Sequence, residues 1–242
     1  MYTACICVDL SKAFDRVNHE ILVKKCENLG LGGVIGNILR SYLKNRTFVI
    51  KHKNNFGKYY TINTGVAQGS SLGPILFNIY INDLIKTLGS HYKITAYADD
   101  ITIITSDASY DKIIINLNNI FDILFDWMNK NDMKINCNKT KILFLGRTLP
   151  EHNQSYSYSN FNFDFVDCVN ILGITIDKSL SFLPHIEEIT KKIAPVLGII
   201  NKNKRIFNYN IRLKLYKSIL LPKLTYAIRI SLIKYISVYF GS

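Results

Sequence analysis

Paired cysteines are missing from this chain of 242 residues. The five cysteines, Cys5, Cys7, Cys26, Cys137 and Cys168, form no CxxC spacing, and their number is odd. Neither a disulfide framework nor a zinc site is therefore indicated, and buried, reduced thiols are expected. The five histidines are isolated from one another, so a histidine-based metal cluster is not indicated either.

Long uninterrupted apolar runs are also lacking. The longest tracts, residues 74–88 and 228–240, each contain two charged side chains. Tracts this short or interrupted do not span a bilayer, which requires about 20 apolar residues. The apolar run behind Met1 has no basic region before it, so no signal peptide is indicated. We therefore expect an intracellular protein, in the nucleus or the cytoplasm, that is neither secreted nor held in a membrane.

Acidic residues are scarce, above all towards the C-terminus. The chain has 30 Lys/Arg and 18 Asp/Glu, which give a formal net charge of +12. From Ser181 onward, 11 Lys/Arg are accompanied only by Glu187 and Glu188, whereas residues 1–180 hold 19 basic and 16 acidic residues. Such an excess indicates an anionic partner, either nucleic acid or an anionic membrane surface. A hydrophobic fraction of 48% can form a core, which excludes a disordered or low-complexity chain.

The hydrophobic pattern predicts an α+β fold. Strands are predicted at residues 4–10, 47–52, 59–63, 93–97, 101–105 and 141–145, and a further short strand, or a hairpin around Gly173, at 169–177. Helices are predicted at 20–29, 34–43, 74–88 and 110–129. Residues 148–161 are polar and are predicted to form a surface loop. From residue 181 the pattern is helical, with interruptions at Pro195 and Pro222, so a boundary is predicted near residue 180.

Three carboxylates stand at the ends of predicted strands. Asp9 ends the first strand, and Asp99 and Asp100 lie in the turn between two others. Neighbouring carboxylates repel one another unless a cation is present, and Mg²⁺ prefers carboxylate, phosphate and water oxygens. Two such ions about 3.5–4 Å apart support in-line displacement at phosphorus. An ordinary polar turn is the alternative for Asp99 and Asp100, and the sequence alone does not place Asp9 beside them.

Ordered motifs resemble those of a known family. Residues 7–19 (CVDLSKAFDRVNH), 65–84 (GVAQGSSLGPILFNIYINDL) and 96–105 (AYADDITIIT) are similar to motifs A, B and C of reverse transcriptases, above all those of non-LTR, jockey-like retrotransposons. Residues 133–146 (MKINCNKTKILFLG) and 169–177 (VNILGITID) resemble motifs D and E. The YADD sequence alone is weak evidence, but five motifs in family order are specific. The resemblance implies a palm over residues 1–180, with an antiparallel sheet backed by helices, and a small helical thumb-like region over 181–242.

The resemblance also implies metal ligands and an activity. Asp9, Asp99, Asp100 and the backbone carbonyl of Leu10 match ligands of two Mg²⁺ ions, with Mn²⁺ as a possible substitute. The implied reaction is RNA-templated transfer of dNMP from a dNTP to the 3′-hydroxyl of a DNA primer. Lys139 matches a lysine proposed to protonate the leaving pyrophosphate, and a solvated surface lysine is the alternative.

Further positions match the nucleotide site of the family. Phe14 matches the aromatic residue under the incoming sugar, where a ring leaves no room for a 2′-hydroxyl. A core phenylalanine is the alternative. Gln68 and Gly69 match the motif B pair at the nucleotide and template, where Gly69 permits close backbone approach or a positive φ. A plain turn before a helix is the alternative for both.

Basic residues beyond position 180 match the thumb, where they would bind template and primer through phosphates. These residues are Lys191, Lys192, Lys202, Lys204, Arg205, Arg212, Lys214 and Lys217. A solvated helical face is the alternative, but such a face usually mixes charges of both signs. The sequence indicates no oligomeric state.

The chain departs from the family pattern at both ends. Motif A begins within ten residues of Met1, which leaves no room for the fingers or an endonuclease domain, and residues 230–242 (ISLIKYISVYFGS) differ from the usual continuation. We therefore expect a fragment with little polymerase activity alone. A non-catalytic nucleic-acid-binding remnant is the main alternative. A different palm enzyme, such as a nucleotide cyclase, and a membrane-surface protein are less favoured.

Overall fold

A six-stranded sheet forms the framework of the N-terminal part of the chain. The structure is a computed structural model that describes residues 1–146 and 155–226. The strands are β1 (Tyr2–Val8), β2 (Arg46–His52), β3 (Asn55–Ile62), β4 (Lys93–Tyr97), β5 (Asp100–Asp107), β6 (Lys141–Leu145), β7 (Ser155–Tyr158), β8 (Phe161–Val166), β9 (Cys168–Ile171) and β10 (Ile174–Asp177). The helices are α1 (His19–Asn28), α2 (Gly33–Leu43), α3 (Leu72–Gly89), α4 (Tyr110–Lys130), α5 (Leu183–Lys202), α6 (Tyr209–Leu215) and α7 (Leu221–Thr225). The large sheet has the order β4-β5-β1-β6-β8-β7, while β2 with β3 and β9 with β10 form separate hairpins.

The described residues divide into two compact units. One comprises residues from 1–142 and 149–165, and the other residues from 143–148 and 166–242. The functional boundary near residue 180, between palm and thumb-like regions, stays a prediction. In the part of the chain that the structure describes, no helix is long and apolar enough to cross a membrane.

β1 and β5 form the centre of the first unit. The strands are antiparallel, with Ile6 opposite Ile103 and Val8 opposite Ile101. All four side chains are buried, and along β5 buried residues alternate with more exposed ones. Helix α4 packs on β1 and β5, and α3 packs on β4. Because strand residues point alternately to opposite faces, the apolar set faces the helices and the other set faces away from them.

Asp83 links three helices behind the sheet. Its Oδ1 accepts hydrogen bonds from Trp127 Nε1 of α4, at 2.9 Å, and from Lys25 Nζ of α1, at 2.8 Å. Burial lowers the pKa of Lys25, and the carboxylate of Asp83 partly offsets this effect. The amphipathic pattern that predicted α3 and α4 is confirmed, with both helices ending within two residues of the predicted bounds.

The prediction of a loop over residues 148–161 is wrong for the residues that are described. Ser155–Tyr158 is strand β7, which pairs with β8, and residues 147–154 lie outside the described residues. The Ser-Tyr-Ser-Tyr alternation buries Tyr156, whose ring stacks on Phe121 with centroids 5.3 Å apart. The prediction of a loop relied on the polar composition of the segment and overlooked this alternation of period two.

The predicted break at Pro195 is also wrong, because α5 continues through it. The residue is exposed, so the carbonyl that loses its helical partner can bond to water instead. Pro222 lies in the first turn of α7, where proline is tolerated, and a π-helical turn, Tyr216–Leu220, precedes that helix. The helical path is interrupted instead between α5 and α6, where Asn208 caps the new helix by accepting from Ile211 N–H at 3.0 Å.

All five cysteines are free. Cys5 and Cys26 are buried as expected, but Cys168 is exposed, so the expectation of buried thiols is wrong there. Cys168 is the first residue of β9, at the end of a two-stranded sheet.

We expect Ile103→Ala to lower the free energy of unfolding by about 2–5 kcal/mol, because it leaves a cavity beneath the strand that carries Asp100. Urea denaturation provides the measurement. Ile115→Ala is the matched control, since Ile115 is 55% exposed on α4 and its truncation should change stability by less than about 0.5 kcal/mol. Similar losses for the two variants would contradict this account of the core.

Candidate active site

The register of β1 and β5 brings Asp9 and Asp100 to the same end of the sheet. Val8 lies opposite Ile101, so the next residue of β1 and the preceding residue of β5 face one another across the two strands. Asp99 lies beside them in the two-residue turn between β4 and β5, where Tyr97 pairs with Asp100. The sequence left open whether these carboxylates lie near one another in the fold, and the register places Asp9 and Asp100 opposite one another on neighbouring strands.

The three carboxylates form a site of uncompensated negative charge. Burial raises the pKa of Asp100, and the charges of Asp99 and Asp9 raise it further. Among the described residues, no lysine or arginine forms an ion pair with any of the three. A cation bound at this end of the sheet would therefore relieve repulsion that the protein itself leaves in place.

The donor set fits a hard divalent cation. Carboxylate oxygens are the ligands that Mg²⁺ prefers, usually one or two per ion, with phosphate oxygens and water completing the shell. In the described part of the chain, no three His, Cys, Asp or Glu side chains converge closely enough to hold a metal by themselves. The carboxylates at this end of the sheet therefore suit a hard divalent cation that takes its other ligands from phosphate and water.

The turn that carries Asp99 is strained. Ala98 has φ +52°, in the left-handed region that residues with a Cβ rarely adopt. Left-handed backbone costs such a residue about 1–2 kcal/mol, and strain of this kind collects at functional sites. A two-residue connection needs a positive φ at its first position, and it fixes Asp99 at the tip of the hairpin.

Backbone hydrogen bonds hold Asp9 against the segment that contains Lys139. The N–H of Asp9 donates to Thr140 Oγ1 at 3.2 Å, and its carbonyl accepts from Asn136 N–H at 2.8 Å. Leu10, which is buried, forms an antiparallel bridge with Ile135. Lys139 follows in an exposed turn, so its side chain is available on the surface near Asp9.

A second set of contacts joins the loop after Asp9 to the predicted nucleotide turn. Phe14 is half-buried in a 3₁₀ turn, Ala13–Asp15, and its ring stacks on Phe77 with centroids 4.4 Å apart. Its carbonyl accepts from Val66 N–H at 2.9 Å. Gln68 donates from Nε2 to Asp15 Oδ1 at 3.0 Å. The turn with Gln68 thus contacts the 3₁₀ turn with Phe14 through Val66 and Asp15, by hydrogen bonds that the sequence did not reveal. The role of both residues at the nucleotide stays a prediction.

Two glycines in this turn, Gly65 and Gly69, both have a positive φ but differ in the space beside them. Gly69 has φ +79°, and a Cβ added there would meet no atom within 4 Å, so its conformation requires glycine while the space beside it is open. Gly65 has φ +88°, and an added Cβ would lie 2.9 Å from both Cα and O of Asp15. Sequence reasoning singled out Gly69 and missed Gly65 and Asp15. Gly65 is the first residue of the GVAQG segment, but the sequence does not show that it packs against the backbone of Asp15.

The basic residues predicted to bind nucleic acid lie in the second unit. Helix α5 carries Lys191, Lys192 and Lys202, and the others follow in the connection to α6, in α6 itself and in the π-helical turn. All eight are exposed, and Lys192 pairs with Glu188 at 2.6 Å. These predicted nucleic-acid-binding residues thus belong to the second unit, whereas the residues predicted to bind metal and nucleotide belong to the first.

Comparison with known proteins supplies the family. Residues 1–176 match the family described as reverse transcriptase (RNA-dependent DNA polymerase). The chain belongs to the reverse transcriptase family. The resemblance to non-LTR retrotransposon enzymes is confirmed as well. The chain is 30% identical over 198 residues to a probable RNA-directed DNA polymerase from transposon BS of Drosophila melanogaster, covering 79% of this chain and 22% of that protein.

Further similarities agree with this family. The RNA-directed DNA polymerase from mobile element jockey of Drosophila melanogaster is 28% identical, over 92% of this chain and 25% of its own length. This reverse transcriptase chain thus spans about a quarter of the curated relatives that it matches. A telomerase structure from Candida tropicalis, in complex with a telomeric RNA fragment, superposes with a TM-score of 0.51 at 16% identity, covering 98% of this chain and 40% of that one. At this identity the match concerns the fold alone, and it confirms the α+β class with a sheet backed by helices.

We expect Gly65→Ala to destabilise the chain more than Gly30→Ala, by at least about 1 kcal/mol, because only at Gly65 does the new methyl group meet backbone. The two glycines have similar φ values, +88° and +83°, so the conformational strain is matched and the difference isolates the contact with Asp15. Urea midpoints of both variants give the comparison. Equal losses would show that the turn can move away from Asp15.

Proposed function

We propose that this chain is the catalytic palm of an RNA-directed DNA polymerase of a non-LTR retrotransposon. The reaction would join dNMP from a dNTP to the 3′-hydroxyl of a DNA primer, copying an RNA template and releasing pyrophosphate. The observation that carries the proposal is the β1–β5 register, which sets Asp9 opposite Asp100 with Asp99 in the adjoining turn. Family membership supports the reaction class.

Asp9, Asp99 and Asp100, with the carbonyl of Leu10, would hold the metal ions. When bound, two Mg²⁺ ions, or Mn²⁺ in their place, would make the primer hydroxyl more acidic and stabilise charge on the leaving pyrophosphate. The chain contributes a fixed cluster of oxygens whose mutual repulsion favours cation binding over an empty site. Positioning and electrostatic stabilisation then account for most of the catalysis, as in other phosphoryl and nucleotidyl transfers.

The remaining residues would bind and orient the nucleotide. The ring of Phe14, held by stacking on Phe77, would lie under the deoxyribose and exclude a 2′-hydroxyl. Gln68 is oriented by Asp15, and the open space beside Gly69 would admit the template base or the nucleotide. Lys139, exposed in the turn behind Asp9, would donate a proton to the departing pyrophosphate.

The exposed lysines and arginines beyond residue 180 would contact template and primer phosphates. Their charge provides affinity that is independent of sequence and weakens with salt. In the described residues only Lys192 among the eight is engaged in an ion pair, so the others are available for phosphate.

We expect Mg²⁺ to stabilise the chain through the three carboxylates. At ten times the dissociation constant, binding to the folded state adds about 1.4 kcal/mol, or about 3–5 °C in Tm. Asp9→Asn and Asp100→Asn should abolish this shift in a thermal melt. Asp107→Asn is the matched control, because it lies at the other end of β5 and should keep the full shift. A shift that survives in Asp100→Asn would place the metal elsewhere.

Primer extension separates a polymerase from a non-catalytic remnant. With an RNA template, a labelled DNA primer, dNTPs and Mg²⁺ or Mn²⁺, we expect weak incorporation that falls below detection in Asp99→Asn and is unchanged in Asp107→Asn. RNA binding by the wild-type chain without any metal-dependent incorporation would instead support the remnant. A cyclic nucleotide product would contradict both.

A further inference from the structure

The β2–β3 hairpin exposes aromatic side chains on an arm with little cover. The aromatic side chains Phe48, Phe56, Tyr59 and Tyr60 are 47%, 64%, 68% and 48% exposed. In the two strands only Val49 and the residues at the base, Arg46 and Ile62, are partly buried. A two-stranded hairpin alone is marginally stable in water. Four exposed aromatic side chains on one hairpin indicate a binding surface for another molecule.

The charge around the hairpin is of one sign. Between Glu27 and Asp83 the chain has no acidic residue but six Lys/Arg, four of them (Arg46, Lys51, Lys53 and Lys58) in the hairpin itself. The near balance of residues 1–180 conceals this acid-free stretch. Its partner should therefore be an anion, and a second copy of the chain would be repelled at this surface.

The rings are arranged in a way that suits stacking. Phe48 and Tyr60 are cross-strand partners whose rings lie 5.3 Å apart with an interplanar angle of 23°. At the tip, Lys51 lies opposite Phe56, with its Nζ 5.3 Å from the ring centroid. Aromatic rings interleaved with cations are the elements by which proteins hold unpaired bases and their phosphates.

The base of the hairpin joins the predicted nucleotide turn. Arg46, at the start of β2, donates from Nη1 to the carbonyl of Gly65 at 3.4 Å. β3 ends at Ile62, and Thr64 then forms a bridge with Asn18 before the chain reaches Gln68. The arm therefore extends from the surface where the templating base would lie, over about 20 Å of strand.

We propose that the β2–β3 hairpin binds the single-stranded RNA template next to the active site, by stacking bases on its aromatic rings and pairing phosphates with its lysines. The identity of the strand as template rests on the proposed function, whereas the binding of unpaired RNA rests on the hairpin itself. Duplex RNA does not fit this surface as well, because paired bases have no free face to stack on a ring.

Fluorescence anisotropy with a labelled single-stranded RNA, in EDTA and without dNTPs, tests the proposal on the full chain. The double variant F48A/Y60A should weaken binding by about tenfold or more, since stacking of one base on an aromatic residue corresponds to roughly 5- to 150-fold. The double variant F48Y/Y60F keeps both rings and should bind as the wild type does. Wild-type binding to duplex RNA of the same length should be weaker than to the single strand.

Charge variants provide an independent measurement. K51Q/K58Q should reduce the slope of log K against log salt by about 0.7 for each phosphate that no longer pairs with a lysine, whereas F48A/Y60A should leave the slope unchanged. K112Q is the matched control, because Lys112 is exposed on α4, away from the hairpin sequence, and should not alter the slope.

Three outcomes would overturn the proposal: unchanged RNA affinity in F48A/Y60A, equal loss in F48Y/Y60F, or preference for duplex RNA. Loss of self-association in F48A/Y60A with RNA binding intact, measured by sedimentation, would assign the hairpin to a protein interface instead. Failure here leaves the metal titration of Asp9 and Asp100 unaffected. Failure of that titration with hairpin-dependent RNA binding intact would contradict the polymerase and leave this inference standing.

Discussion

The pairing register of β1 with β5 is the constraint on which the site depends. Asp9 and Asp100 are separated by most of the first unit in sequence, and they lie opposite one another because Val8 lies opposite Ile101. The buried side chains behind these strands stabilise that register, because a shift of one residue would turn the apolar set away from α4. Hydrophobic packing on one face thus holds together, on the other, carboxylates that repel one another.

Main-chain contacts between loops complete the arrangement. The segment with Lys139 is tied to Asp9 through Asn136 and Thr140, and the nucleotide turn is tied to Phe14 through Val66. Apart from the bond to the Thr140 hydroxyl, these bonds join backbone groups, so they depend on the path of the chain more than on side-chain identity. The backbone therefore maintains the position of the turn, and side chains such as Gln68 can take on the proposed role at the nucleotide.

The sequence predicts the helices and turns that depend on local patterns, but not the contacts between segments that are distant along the chain. The period-three-to-four pattern of α3 and α4 and the turn at Asp99 are local signals, so their elements were placed correctly. The meeting of Asp9 with Asp100, and the contact of Gly65 with Asp15, depend on pairing between distant segments, which no single window of sequence contains. β7 was missed because serine and asparagine are typical of loops, although Tyr156 alternates correctly for a strand.

The two-residue turn at Ala98, with its positive φ, has a consequence for how such a gene can decay. Point substitutions of exposed surface residues would leave the pairing of β4, β5 and β1 unchanged. A single inserted or deleted codon in β4 or β5 is different, because side chains in a strand alternate between faces, and a shift of one residue turns every following side chain over. Copies of this gene would therefore lose the proposed metal site abruptly through small in-frame length changes, while still encoding a chain of almost the same composition.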